Sequence, residues 1–500
     1  MANLEKTEST GTTETTEKAA PQGAAEKAAP AALRSEDFGI DTTARTTGEA
    51  IRDYVKNLRN GELGALPALA GLFALFILFW LLDSLLPQGS GGTFISLGNL
   101  ANLLQQGAGP TIIAMGLVFV LLIGEIDLAA GTASGVTAAV MALHLVRDGN
   151  LLGSLGYTVF GLFALIIIVA IVLALVVRIW AAAAFSVLAL LLLLIGFPPN
   201  AWLEMLFAIT VGIVLGTITG YLVAKVGMPS FVVTLALFIA WQGVLLQFIG
   251  EGGTLGLRDP VLFAVANGNL PTLGSWILFV IAAGGYAAVL LNRQRSRRKL
   301  GLVAQPTGLV LLKVGAVVVL GAIATVLLTV NRSPGSIIIS GVPYVVPIVL
   351  VLLVIGTYVL DRTRFGRHVY AVGGNREAAR RAGIDVVRIR AAVFIIAAAM
   401  AAIGAIVYSS KVGSVSPTAG GGNTLLFAVG AAVIGGTSLF GGRGRLSNAV
   451  IGGAVLATVQ NGLGLLKQPS AVVFIVTGLV LLLAAGVDVA SRRRSATATR

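Results

Sequence analysis

Apolar runs alternate with short polar breaks along most of the chain, and each run is near the ~20 residues a helix needs to cross a bilayer. They fall at 66–86, 104–123, 128–146, 157–177, 179–196, 203–224, 230–249, 274–291, 308–330, 342–360, 391–410, 424–440, 446–466 and 470–489. The pattern predicts about fourteen membrane-spanning helices, with ten as the lower bound. Only Arg178 separates the fourth run from the fifth, so a re-entrant pair or one long tilted helix fits there too. Ahead of the first run, residues 1–45 are Thr, Glu, Ala, Lys and Pro without hydrophobic period, which reads as a disordered tail and not a signal peptide. In 46–62, Thr46 and Glu49 have capping-box spacing, and Ile51, Val55 and Leu58 share a face flanked by Arg52, Lys56 and Arg59. That segment predicts an amphipathic helix at the membrane surface, or a solvated linker helix. The organisation is then a tail, an interfacial helix, an all-α polytopic membrane domain over 63–490, and a basic C-terminal tail over 491–500.

Composition agrees with the bilayer as solvent. Of 500 residues, 56% are hydrophobic and 11% charged, against roughly 25% charged in soluble domains. The 63 glycines suit close helix packing in lipid. With no Cys, disulfides, thiolate zinc sites and thiol nucleophiles are excluded, and the two histidines, His144 and His368, lie far apart. No metal site, catalytic residue or bound cofactor is expected of this chain.

The net charge of +13 changes the picture through its distribution. With the N-terminus inside, the cytoplasmic segments hold 29 of the 35 Lys and Arg, as the positive-inside rule requires. This places both termini in the cytoplasm and makes the number of spans even. It also removes the need for a nucleic-acid partner. Of 22 Asp and Glu, eleven lie in the first 62 residues, and the others sit in loops or at the ends of runs. A carboxylate at the bilayer centre costs ~2.5–3.5 kcal/mol and marks ion or proton relays. Their scarcity counts against an ion-coupled carrier.

A few polar positions stand out. Glu125 and Asp127 interrupt the apolar stretch from Thr111 to Leu145, either as a broken helix on a translocation path or as an interfacial hairpin with Asp127 capping the next helix. Gly212, Gly216 and Gly220 recur every four residues and predict close helix packing. Thr234, Gln242 and Gln247, with Trp241, combine the hydroxyls, amides and aromatic faces that bind sugars; Gln460 and Asn461 offer the same chemistry. Helix–helix hydrogen bonding explains these residues equally well. In the loop at 361–390, Asn375 can cap a helix over 376–382 that Gly383 ends, a shape suited to docking a protein. Gly373-Gly374 is no phosphate cradle, since no strand precedes it and no Lys-Ser/Thr follows.

Residues 363–367 (Thr-Arg-Phe-Gly-Arg), 370–375 (Tyr-Ala-Val-Gly-Gly-Asn), Glu377-Ala378-Ala379-Arg380 and Gly383-Ile384 resemble the coupling loop of ribose/xylose-type ABC importer permeases. Three further stretches fit that family in order: Glu125-Ile126-Asp127-Leu128 with Gly131, Pro229 to Leu235, and Val433 to Leu439 followed by Gly441, Gly442 and Gly444. Within the family, the xylose permeases are most similar; they share Glu-Ile-Asp-Leu, a basic loop like Arg293–Lys299 and a stretch like Gly413–Pro417. The resemblance implies a homodimeric permease that moves a monosaccharide by alternating access. It also implies a pair of ATP-binding subunits docked on 361–390 and an external sugar-binding protein. The sequence departs from the family at Ala129-Ala130, where Ser-Val is usual, at Gln242 in place of Arg, and at Leu425–Gly430, which lacks two acids. The apolar hairpin at 157–196 is additional. The alternative is a self-contained ion-coupled sugar carrier.

Overall fold

The computed structural model describes residues 66–86, 92–300, 305–333, 335, 336 and 338–498, with Gly48 and Arg52 besides; beyond Leu483 the backbone alone is described, apart from Gly486. Apart from Gly48 and Arg52, the predicted tail at 1–45 and interfacial helix at 46–62 lie outside the described residues.

Helices carry all fourteen apolar runs. In chain order they are α1 Leu66–Leu85, α2 Leu97–Leu122, α3 Ala129–Val146, α4 Leu151–Val177, α5 Trp180–Ile195, α6 Ala201–Tyr221 and α7 Ser230–Ile249. The short α8, Pro260–Asn267, is followed by α9 Thr272–Lys299, α10 Thr307–Thr329 and α11 Val345–Arg362. Then come α12 Arg364–Gly374, α13 Arg376–Arg381, α14 Val386–Val412, α15 Gly422–Ile434, α16 Leu446–Leu465 and α17 Ser470–Ala498. Among the described residues, ten helices are long and apolar enough to cross a membrane; α5, α15 and the first half of α17 are shorter apolar helices. This is an all-α, multi-pass membrane protein.

Local chemistry explains where the boundaries differ from the pattern. α2 begins at Leu97, ahead of its apolar run, because the Ser96 hydroxyl accepts from the Asn99 amide and starts the helix in a polar stretch. α4 and α5 are two helices packed against each other, not one long tilted helix. Arg178, at φ +61°, turns the chain between them within two residues. The run at 424–440 is helical only to Ile434; Gly436, at φ +100°, leaves the helix there, and the chain turns through 435–445. α6 continues into a π-helical turn over Leu222–Val226.

α14 forms the axis of the core, packed along both α2 and α6. Small residues make that closeness possible. A Cβ at Gly212 would sit 2.8 Å from Ala402 Cβ, one at Gly216 2.7 Å from Ala398 Cβ, and one at Gly220 2.8 Å from the Ala391 carbonyl. Gly109 and Gly116 of α2 meet α14 in the same way at Tyr408 and Met400. Around this centre the most apolar windows of α9, α10 and α11 are each only 11% buried, whereas that of α3 is 89% buried. Exposed apolar helices around a packed core are what lipid as solvent permits.

After α14 the chain is re-entrant. Ser414–Val415 pairs antiparallel with Leu255–Gly256, Leu255 opposite Val415. Residues 416–421 then lie along α3, with the Gly420 carbonyl 2.5 Å from where a Gly131 Cβ would be and the Ala419 carbonyl pressed on Gly135. The segment thereby leads the chain back against α3 before α15 begins.

Candidate functional site: a junction of four motifs and a polar cavity

The turn at 123–128, between α2 and α3, gathers segments distant in sequence. The Leu122 carbonyl accepts from the Gly442 amide at 2.8 Å, and Gly373 packs so tightly on that carbonyl that any side chain there would collide with it. Glu125, buried, is held by Arg376 at 2.6 Å and Arg390 at 2.7 Å, one from α13 and one from α14. The Ile126 amide donates to Ser230 Oγ at 3.4 Å, and its carbonyl accepts from the Thr234 hydroxyl at 3.3 Å. Tyr370 closes the cluster by donating to the Gly444 carbonyl at 2.9 Å. Asp127 accepts from the Ala130 amide at 3.1 Å; burial pushes its carboxyl up to about 7 despite the amides of Ala130 and Ala129.

Beside this turn lie the two helices of the 361–390 loop. α12 starts at Thr363, whose hydroxyl accepts from the Gly366 amide, and buries Val369 and Val372. α13 starts at Asn375, which accepts from the Ala378 amide at 2.9 Å, and Gly383, at φ +81°, follows its end. Ala379 is buried, while Gly374, Asn375, Glu377, Ala378 and Arg380 are exposed and Gly373 is half-buried. Arg380 at 2.9 Å and Arg381 at 3.2 Å hold the Glu377 carboxyl below the usual range. The segment thus presents a polar, ordered face outward and roots its inner face on Glu125 and Leu122.

Toward the other end of the bundle is a cavity of about 470 Å³, bounded by α2, α3, α7, α14 and the 414–424 segment. Gln242 lines it and donates to the Pro417 carbonyl, which ties the re-entrant segment to α7.

Of the residues predicted to line a path, Gln242 alone borders this cavity. Glu125, Asp127 and Thr234 belong to the junction, where arginines, a helix start and a carbonyl engage them. Trp241 is buried among apolar side chains. Asn461 forms a reciprocal amide pair with Asn99 at 2.8 and 2.9 Å, and Gln460 beside it is half-buried. Two features escaped the sequence reading. Nothing in the sequence singled out Arg376 and Arg390 from the other basic residues of the 361–390 loop. His144 Nδ1 lies 2.6 Å from Glu204 Oε1, both buried, with the imidazole stacked on Phe197 at 4.0 Å. Glu204 sits near the start of its run and His144 near the end of another, 60 positions apart, so no local spacing joins them.

A multi-pass bundle with an outward-facing, helix-capped loop rooted on its core, and a polar cavity among its helices, is the build of a membrane transport permease rather than an enzyme. The chain belongs to the family described as branched-chain amino acid transport system / permease component, whose model matches residues 179–485. It is 37% identical over 295 residues to the xylose transport system permease protein XylH of Escherichia coli, covering 59% of this chain and 72% of the relative. The corresponding XylH of Haemophilus influenzae is 35% identical over 60% of this chain and 76% of its own. The ribose import permease protein RbsC of Escherichia coli is 41% identical over 30% of this chain and 46% of its own. Within its family the chain is therefore of the xylose/ribose type. No solved structure matches it significantly.

Proposed function

We propose that this chain is the membrane-spanning subunit of an ATP-driven importer of a monosaccharide, xylose or a similar pentose or hexose, in the bacterial cytoplasmic membrane. Fourteen spans place both termini in the cytoplasm, and two copies form one pathway. A pair of separate subunits binds and hydrolyses ATP, an external binding protein delivers the sugar, and this chain carries no cofactor and performs no chemistry.

The observation that carries this reading is the pair of arginines on Glu125. Docking of an ATPase on the exposed face of α13 displaces Arg376 and, through the shared carboxylate, Arg390 on α14 and the α2–α3 turn. α14 runs from that junction to the cavity, so closure of the ATPase pair shifts the population of inward- and outward-open states. The buried His144–Glu204 pair favours one second reading, a proton-coupled carrier.

Co-expression with the neighbouring transport genes and purification in mild detergent separates the two. We expect a co-eluting ATPase whose hydrolysis rises with sugar-loaded binding protein. Glu377→Lys, on the exposed face, should lose the ATPase while keeping the thermal transition of the parent. Uptake by the chain alone in liposomes under a proton gradient would establish the carrier instead.

A further inference from the structure

The hairpin of α9 and α10 carries positive charge that its own residues do not balance. Residues 260–360 contain no Asp or Glu, whereas Arg293, Arg295, Arg297, Arg298 and Lys299 end α9 and Lys313 lies in α10. All six are exposed, and among the described residues none pairs with a carboxylate. Their level in the membrane follows from the helix. α9 starts beside the start of α2, where Ala101, Leu278 and Leu328 share one apolar cluster, so it ends on the side where α2 reaches the 361–390 junction. Twenty helical residues cover about 30 Å, the thickness of the hydrocarbon core. Counted from Thr272, Arg293 is the second residue beyond them. Lys313 lies inside the apolar run of α10 but reaches back, its Nζ 3.4 Å from Gln305 Oε1. Arg298 meets the same connection, donating through Nη2 to Thr307 Oγ1 at 2.6 Å.

We propose that this end of the α9–α10 hairpin binds an anionic phospholipid, its phosphate held between Arg298 and Lys313 and the other four cations gathered around it. The proposal goes beyond sugar import and does not depend on it. Topology requires only an excess of positive charge on one side, which isolated residues such as Lys225 supply; it does not require two cations to converge on one connection. Guanidinium and ammonium groups both hydrogen-bond phosphate oxygens, and basic pockets between membrane helices bind acidic headgroups. The apolar surroundings select lipid over a soluble acidic protein. Leu300, beside Lys299, is 73% exposed, and Leu311 and Leu312, beside Lys313, are 56% and 65% exposed. An acidic protein face would match the cations and leave these leucines against polar surface, whereas a phospholipid offers phosphate to the first and acyl chains to the second. Among the described residues, the side-chain hydrogen bonds of 284–313 stay within the hairpin, Gln294 donating to the Gln305 carbonyl at 3.2 Å beside the two already named. No other element of the chain competes for this end.

Native mass spectrometry of the full-length chain in detergent tests this, with dioleoyl phosphatidylglycerol or dioleoyl phosphatidylcholine titrated in and the lipid-bound fraction counted. The double variant Arg298→Gln, Lys313→Gln leaves the other four cations to set topology. Arg178→Gln with Lys225→Gln removes the same charge from exposed positions elsewhere, and Arg298→Lys with Lys313→Arg restores it in place. We expect the parent to bind phosphatidylglycerol well ahead of phosphatidylcholine. The double Gln variant should bind phosphatidylglycerol about five-fold more weakly for each cation removed, while the control and the charge-restored variant match the parent. Equal binding of the two lipids, or parent-like affinity in the double Gln variant, would overturn the site. A loss that the charge-restored variant shares would reduce it to a packing effect and overturn it too. Displacement of the lipid by inorganic phosphate would assign the cations to a free anion instead. If the double Gln variant loses a co-eluting protein subunit while its lipid binding is unchanged, the surface belongs to that partner and the lipid proposal is wrong.

Discussion

Glu125 is the residue on which the most depends, and its two arginines are not equivalent. The Arg376 side chain is 48% exposed and that of Arg390 12%, so water can replace the first bond and not the second. Breaking a buried ion pair by removing one member costs about 3–5 kcal/mol. Arg390→Ala should therefore lower the thermal midpoint clearly more than Arg376→Ala, while both reduce uptake. Equal midpoints would contradict this arrangement. Asp127 gives a pH-dependent expectation. Burial raises its carboxyl to about 7 in the folded chain, against 3.8 for the unburied group. Between those values the folded state binds more protons than the unfolded one. Its contribution to stability is therefore full below about pH 4, falls by up to about 1.4 kcal/mol per pH unit as pH rises, and levels off above 7. Asp127→Asn should remove that fall and be more stable than the parent at pH 8, as scanning calorimetry or dye-monitored melting would show.

At the scale of elements, α14 packs along α2 and α6 because glycines on both meet alanines and glycines on α14. A Cβ at Gly216 would lie 2.9 Å from Ile395 Cα and from the Phe394 carbonyl, backbone positions that cannot rotate away. Gly216→Val should force α6 from α14 and cost about 1–3 kcal/mol or more. A reduced thermal midpoint with loss of uptake is the expected outcome, and Gly161→Val, at an open position on α4, should leave both unchanged. The Gly-x-x-x-Gly spacing was legible from the chain because a helix face repeats every three to four residues. α12 was not foreseen, since its apolar face, Val369 and Val372, is short and interrupted by charges that read as an anchor. The end of α15 was missed because Gly436 sits in an apolar run, where hydropathy alone continues the helix.

For the whole molecule, the turns at 123–128, 363–385 and 435–445 form one end, and most of the basic residues belong to this end and the tails. If that end is cytoplasmic and the spans are even in number, reporter fusions at Gly442 and after Arg500 should both be active as cytoplasmic enzymes. A fusion at Phe197 should be active only as an extracytoplasmic one. Opposite sides for the first two would require an odd number of spans after Gly442.

The sequence by itself determined the solvent and the helical class, because a run of about twenty apolar residues has one low-energy state in lipid. It also determined the family, through four ordered motifs. Only the tertiary structure decided what the motifs touch. It drew Glu125 to two arginines more than 250 positions away, bent 416–421 back along α3 to make a cavity, and buried His144 against Glu204. These depend on which faces meet in three dimensions, and no periodicity along one helix records its neighbour.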